Sequence, residues 1–187
     1  MFQHLLEAIA QSLDSRKIPY MVVGGQAVLL YGEPRLTRDI DVTLGIGPER
    51  QSEISDLAAG LGWQVLIDSP AEFVEKSLVL PCVDPHSGIR VDFIFSFSVY
   101  ERQAMERVRR VPMGRAEVRF AAVEDLIIHK LVAGRPRDVE DVRNILLKKP
   151  AMDMPYLRRW LEEFDRSLGG SHLQNLERLL KFSDSTT

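Results

Sequence analysis

Hydrophobic residues recur along this chain with two periods, and the switches between them lay out the elements. Leu5, Ile9 and Leu13 stand at i, i+4 and i+8, which predicts an amphipathic helix over 2–13. Residues 18–23 form a short apolar run that stops at Gly24-Gly25 and reads as a first strand. Residues 26–31 read as a short helix, with Ala27, Val28, Leu30 and Tyr31 able to share a face. The turn-rich link Gly32-Glu33-Pro34-Arg35 then leads to a second strand over 39–44. Pro48 opens a helix over about 49–59, which Gly60-Leu61-Gly62 ends. Residues 63–67 read as a strand, and 71–76 as helix or loop.

Two strands follow, 77–83 and 89–95, and the turn chemistry of Asp84-Pro85-His86-Ser87-Gly88 makes them a hairpin. A helix over 99–107 precedes a pair of strands, 109–113 and 117–121, around Gly114. Helices are predicted over 123–132 and 138–148, the second capped by Asp138. Pro150 marks a boundary, after which apolar residues at helical spacing predict helices over 156–168 and 172–182. The fold class is therefore α/β (α+β), a mixed β-sheet flanked by helices with a small C-terminal helical region. The expected division is a domain over 1–149, a helical appendage over 150–182 and a disordered polar tail over 183–187.

Composition narrows the function classes. The formal net charge of −3 excludes a general polyanion binder, so any nucleic-acid contact has to come from a local patch. Cys82 is the only cysteine, which excludes an internal disulfide framework and a cysteine-rich zinc site. It lies among apolar residues, as a packed thiol does. The N-terminus lacks the pattern of a signal peptide, and no apolar run is long enough to span a bilayer. A soluble cytoplasmic protein without membrane contact is expected.

The chemistry concentrates between Tyr20 and Gly45. Side chains alternate across a strand, so Asp39 and Asp41 point to one face while Ile40 and Val42 point to the other. Two carboxylates spaced by about 7 Å along one strand suit a hard divalent cation. Gly24-Gly25 ends a strand and starts a helix, where backbone N–H groups without Cβ atoms around them can approach a phosphate. Carboxylates beside such a cradle suit phosphoryl-group chemistry.

An apolar strand, Gly-Gly, a helix and an Asp-x-Asp flanked by apolar residues resemble the signature of the DNA polymerase β-like nucleotidyltransferase superfamily. The fuller pattern of Gly24, Gly25, Ala27, Tyr31, Gly32, Arg35, Thr37, Asp39, Ile40 and Asp41 looks like the branch of AbiEii-type toxins and minimal nucleotidyltransferases. The resemblance covers roughly residues 18–145 and implies a nucleotidyltransferase fold. It implies a third carboxylate on a strand antiparallel to the Asp-x-Asp strand. Asp92, in Arg90-Val91-Asp92-Phe93, matches it and lies on the opposite strand face from Ile89, Val91, Phe93 and Phe95. Downstream, Lys130, Arg135 and Arg137-Asp138-x-x-Asp141 resemble the lysine and Arg-Asp-x-x-Asp elements of AbiEii-like proteins. Lys130 is the candidate triphosphate clamp, with a snorkelling helix lysine as the other reading. Asp138 and Asp141 read as a cap and a surface salt bridge, or as groups that orient Lys130. His129 has no histidine partner at ligand spacing and is expected to pack or face solvent.

The implied reaction moves a nucleoside monophosphate from a nucleoside triphosphate to an acceptor hydroxyl and releases pyrophosphate. Asp39, Asp41 and Asp92 would hold two Mg2+ ions, and Gly24, Gly25, Thr37 and Lys130 would bind the nucleotide. Many members have Gly-Ser where this chain has Gly24-Gly25, so one phosphate-touching hydroxyl is missing, and Thr37 is the candidate to replace it. The acceptor is expected among RNA (tRNA above all), a protein and a small molecule, and a toxin would have an antitoxin partner. The arginines Arg102, Arg107, Arg109, Arg110, Arg115 and Arg119 form either an ion-paired surface or a local RNA track. The alternative function is a nucleotide- or partner-binding module that keeps the fold and transfers nothing.

Overall fold

The computed structural model describes residues 1–34 and 36–185. Arg35, part of the resemblance, and Thr186 and Thr187 of the expected tail lie outside the described residues. The chain forms two compact units, one of residues 1–26 and 36–121, the other of residues 27–35 and 122–187.

The first unit contains the whole sheet. Helix α1 (Phe2–Ser15) buries Leu5, Leu6, Ile9, Ala10 and Leu13, the stripe its spacing predicts. Seven strands follow: β1 (Tyr20–Val23), β2 (Asp39–Leu44), β3 (Gln64–Val65), β4 (Val79–Val83), β5 (Arg90–Phe95), β6 (Arg109–Met113) and β7 (Ala116–Phe120). They form one mixed sheet in the order β3-β4-β5-β2-β1-β7-β6. Helices α3 (Gln51–Gly60), α4 (Pro70–Ser77) and α5 (Val99–Glu106) belong to the same unit. A 3-10 turn over Pro48–Arg50 leads into α3, with Pro48 at its first position. Segment 71–76, open in the sequence, is helical within α4. The strand expected over 63–67 is only two residues long; Trp63 lies outside the ladder, its N–H donating to the Ala58 carbonyl at the end of α3 and its ring stacked on Phe93 at 6.4 Å between centroids.

The β4–β5 hairpin forms as its turn chemistry predicts. The Asp84 carboxylate accepts from the backbone N–H groups of His86 and Ser87 and from the Ser87 hydroxyl. The Ser87 hydroxyl, with the two backbone donors, holds Asp84 below the usual carboxylate range. This turn sets the register of β5, in which Val91, Phe93 and Phe95 are buried while Arg90 is exposed and Asp92 half-buried.

One expectation is overturned by the pairing. β5 runs parallel to β2, not antiparallel. β4 hairpins onto β5, so the chain reaches β5 through a crossover of α3, β3, α4 and β4 and returns in the direction of β2.

Helix α2 (Gly24–Tyr31) starts two residues earlier than predicted and takes the chain from the first unit into the second. The second unit holds α6 (Val123–Ala133), α7 (Pro136–Leu147), α8 (Met154–Phe164) and α9 (His172–Ser185). Tyr156 Oη donates to Asp125 at 2.7 Å and the Asp153 N–H donates to Glu124 at 2.7 Å, which ties α8 to α6. Position 150 falls between α7 and α8, inside this unit. α9 runs to Ser185 and includes the first three residues of the expected tail. Helix α7 begins at Pro136, so Asp138 lies in its first turn and does not cap it.

Candidate active site

The site is built on three neighbouring strands of the first unit. β1 pairs antiparallel with β2, with Val23 opposite Asp41. β2 pairs parallel with β5, with Asp39 opposite Arg90 and Asp41 opposite Asp92. Partners in register share a face, and adjacent strands are about 4.8 Å apart, so Asp41 and Asp92 stand side by side. The β2 burial pattern confirms the alternation: Asp39 and Asp41 are half-buried, Ile40 and Val42 fully buried.

Gly24 completes this end of the sheet. Its φ is +61°, a conformation that side-chain-bearing residues rarely adopt. A Cβ on Gly24 would lie 2.8 Å from Asp41 Cγ and collide with Oδ2. The backbone at the start of α2 is thus in direct contact with the Asp41 carboxylate, and only glycine permits it. Gly25, the next residue, is buried. Gly24→Ala should lose about 1–2 kcal/mol from the left-handed backbone alone and push Asp41 out of position. Thermal unfolding should show the loss, and calorimetric titration should show metal-dependent triphosphate binding abolished; unchanged binding would contradict the packing argument.

Thr37 is buried, and its hydroxyl oxygen accepts from Gln26 Nε2 at 2.7 Å. That bond fixes the approach to β2 and orients the Thr37 O–H. Gln26 was not legible as a site residue, because a lone glutamine after Gly-Gly carries no signal. Arg90 was equally overlooked. Its Nε donates to Asp92 Oδ1 at 2.7 Å, and strand parity alone puts it on the carboxylate face.

The other candidates lie in the second unit. Lys130 Nζ sits 2.7 Å from Asp138 Oδ1 and 2.8 Å from Asp141 Oδ2, with side-chain exposures of 6%, 4% and 5% in that order. Asp138 and Asp141 therefore form a buried ionic cluster with Lys130, and the expectation of a surface salt bridge is corrected. Burial alone would raise Asp138, but hydrogen bonds from Lys130 and Arg135 outweigh it and hold the carboxyl below the usual range. Burial, with the Lys130 charge adding to it, pushes His129 down to about 4, so its ring is neutral at pH 7. Gly32 packs against Val28 and Ile145, and its carbonyl accepts from Lys148 Nζ at 2.5 Å. Tyr31-Gly32 of the motif thus serves the packing of this unit. Cys82 is fully buried, and burial pushes its thiol up to about 12, with the Asp92 charge adding. It is a packed, unreactive thiol.

The donors at the site are all carboxylate oxygens, the chemistry of a Mg2+ site. Among the described residues no three His, Cys, Asp or Glu side chains converge closely enough to grip an ion as they stand. Asp92 is turned to Arg90 instead. The three carboxylates nevertheless share one face of β2 and β5 in register, and this all-oxygen donor set is the chemistry that fits the ion.

A family described as nucleotidyltransferase of unknown function (DUF6036) matches residues 1–183. The chain belongs to this family. No curated protein matches the nucleotidyltransferase sequence. Among solved structures, an antigenic nucleotidyltransferase-like protein from Paracoccidioides brasiliensis is similar with a TM-score of 0.59 and 15% identity, over 96% of this chain and 91% of that one. ANT(2")-Ia in complex with adenylyl-2"-tobramycin gives a TM-score of 0.56 and 20% identity, over 86% and 97%. The lincosamide antibiotic adenylyltransferase LnuA, bound to lincomycin, gives 0.51 and 13%, over 74% and 92%. At these identities the likeness is one of fold. No helix among the described residues is long and apolar enough to cross a membrane.

Proposed function

We propose that this nucleotidyltransferase moves a nucleoside monophosphate from a nucleoside triphosphate to an acceptor hydroxyl with the help of Mg2+. The observation that supports this most is the contact between the Gly24 backbone and the Asp41 carboxylate, with Asp92 in register beside Asp41. It brings a phosphate-approach backbone and three carboxylates to one end of one sheet. In the reaction the acceptor oxygen bonds to the α-phosphorus, the bridging oxygen to the β-phosphorus leaves with pyrophosphate, and the hydroxyl proton is lost. Asp39 and Asp41 would hold two Mg2+ ions together with Asp92. Bound there, the ions would neutralise phosphate charge and lower the pKa of the attacking hydroxyl. Asp92 would orient that hydroxyl and accept its proton. Gly24 and Gly25 would let the backbone close on the phosphates, and Thr37 would offer its O–H. Lys130 would add charge only through the ammonium proton left over from Asp138 and Asp141; the ionic cluster supports an anchor between α6 and α7 more than a clamp.

A small-molecule hydroxyl is the better supported acceptor. Two of the similar structures hold an adenylylated or antibiotic ligand. The arginines do not form one track: Arg109 and Arg110 are consecutive on β6 and point to opposite faces. Arg110 pairs with Glu117 and Arg119 with Asp14. An RNA end, with tRNA and an antitoxin partner in the toxin reading, rests on the exposure of Arg102, Arg109, Arg110 and Arg115.

Asp92→Asn tests the assignment. Transfer should fall by at least about a hundredfold, the scale of a lost acid–base group, while triphosphate binding by calorimetry and the unfolding temperature change little. Transfer at the wild-type rate would remove Asp92 from the site. Wild-type protein that binds triphosphate yet never releases pyrophosphate would favour the binding-module alternative.

A further inference from the structure

The carboxylate face carries a fourth charged group. Arg90 is opposite Asp39 as Asp92 is opposite Asp41, so three carboxylates and one guanidinium form a two-by-two array on β2 and β5. The guanidinium is held by Asp92 at 2.7 Å. The two partners differ in freedom: the Arg90 side chain is 52% exposed and that of Asp92 16%. The more exposed partner, Arg90, is the one that can swing into water and release the Asp92 carboxylate.

We propose that Arg90 is the resident cation of the carboxylate cluster, holding Asp92 and balancing its neighbours until a divalent cation displaces it. The proposal rests on the nucleotidyl-transfer reading in one respect, that the cluster takes Mg2+. Arg90 contacts Asp92 and stands opposite Asp39 in register, and a half-exposed ion pair is weak enough to break. The bound guanidinium and a metal ion compete for the same Asp92 oxygens, so Arg90 raises the metal concentration at which the site fills. Without it, three like charges on adjacent strand positions repel each other in the metal-free protein.

The test is Arg90→Gln, with Arg90→Lys and Asp92→Asn beside it, titrated with Mn2+ in the absence of nucleotide by calorimetry. Thermal unfolding is followed in parallel, in chelator and in Mn2+. Arg90→Gln should bind Mn2+ roughly 1.5-fold to fivefold more tightly than wild type, the range set by the loss of one exposed ion pair. Its unfolding temperature should fall in chelator and rise more on Mn2+ addition than that of wild type. Arg90→Lys, which keeps the charge, should stay near wild type. Equal or weaker Mn2+ binding by Arg90→Gln would overturn the proposal and leave the nucleotidyl-transfer reading intact. Absence of Mn2+ binding in every variant and in wild type would overturn both.

Discussion

Asp41→Asn should lower the proposed nucleotidyl transfer by about a thousandfold, because several kcal/mol of charge stabilisation would depend on its carboxylate and each 1.36 kcal/mol is a tenfold change in rate. Asparagine keeps the shape, so it still fits against Gly24 and the fold persists. What is lost is the negative charge beside Asp92 and Asp39. Titration with a nucleoside triphosphate should show Mg2+ dependence in wild type and none in Asp41→Asn. Asp39→Asn should behave the same way with a smaller loss, because Asp39 faces Arg90 across the strands and not another acid. Transfer in Asp41→Asn within tenfold of wild type would show that the charge of Asp41 is not used.

The second large effect concerns stability. Lys130→Met should destabilise the protein by about 3–5 kcal/mol, since it removes the cation that both buried carboxylates contact and leaves Asp138 to the exposed Arg135. Chemical denaturation with the midpoint read from far-ultraviolet circular dichroism would measure it. Lys130→Met with Asp138→Asn and Asp141→Asn should recover most of the loss, because no buried charge is then left unpaired. The cluster also makes stability depend on pH. Asp138 has a folded pKa below its unfolded value, so its contribution is complete above the ordinary carboxylate range. That contribution disappears as the pH falls through the folded pKa, and the wild-type midpoint should drop on acidification over that window. A Lys130→Met protein as stable as wild type would mean that the lysine is not structural, and would return it to the phosphate-clamp reading.

These effects trace to how much of the site was written locally. Asp39 and Asp41 were legible because strand alternation depends only on parity, and Ile40 and Val42 supplied the buried face. Asp92 was legible for the same reason, with Val91 and Phe93 either side of it. The direction of β5 was not, because it depends on a pairing with β2 across about fifty residues, which no local pattern encodes. Gly24 looked like a generic phosphate glycine. Its stricter cause, a collision with Asp41, arises only once β1 and β2 pair. Lys130 read as a phosphate clamp or a snorkelling lysine, with Asp138 and Asp141 as cap and surface salt bridge or as groups that orient it; their contact fits the orienting alternative, and their burial arises only from the packing of α6 on α7. Arg90 was missed although parity placed it, since an arginine at a strand start usually faces water.

Whether three carboxylates and the Gly24 turn together transfer a nucleotide can be measured by incubating wild-type protein and an Asp39→Ala, Asp41→Ala double variant with Mg2+ and each α-labelled nucleoside triphosphate in turn. Total RNA, total protein and a small-metabolite fraction serve as acceptors. The account predicts pyrophosphate release and label in the small-metabolite fraction with wild type, and neither with the variant. Label in RNA that falls with rising salt would move the acceptor to RNA and keep the chemistry. No label in any fraction, or equal label with the double variant, would contradict the account.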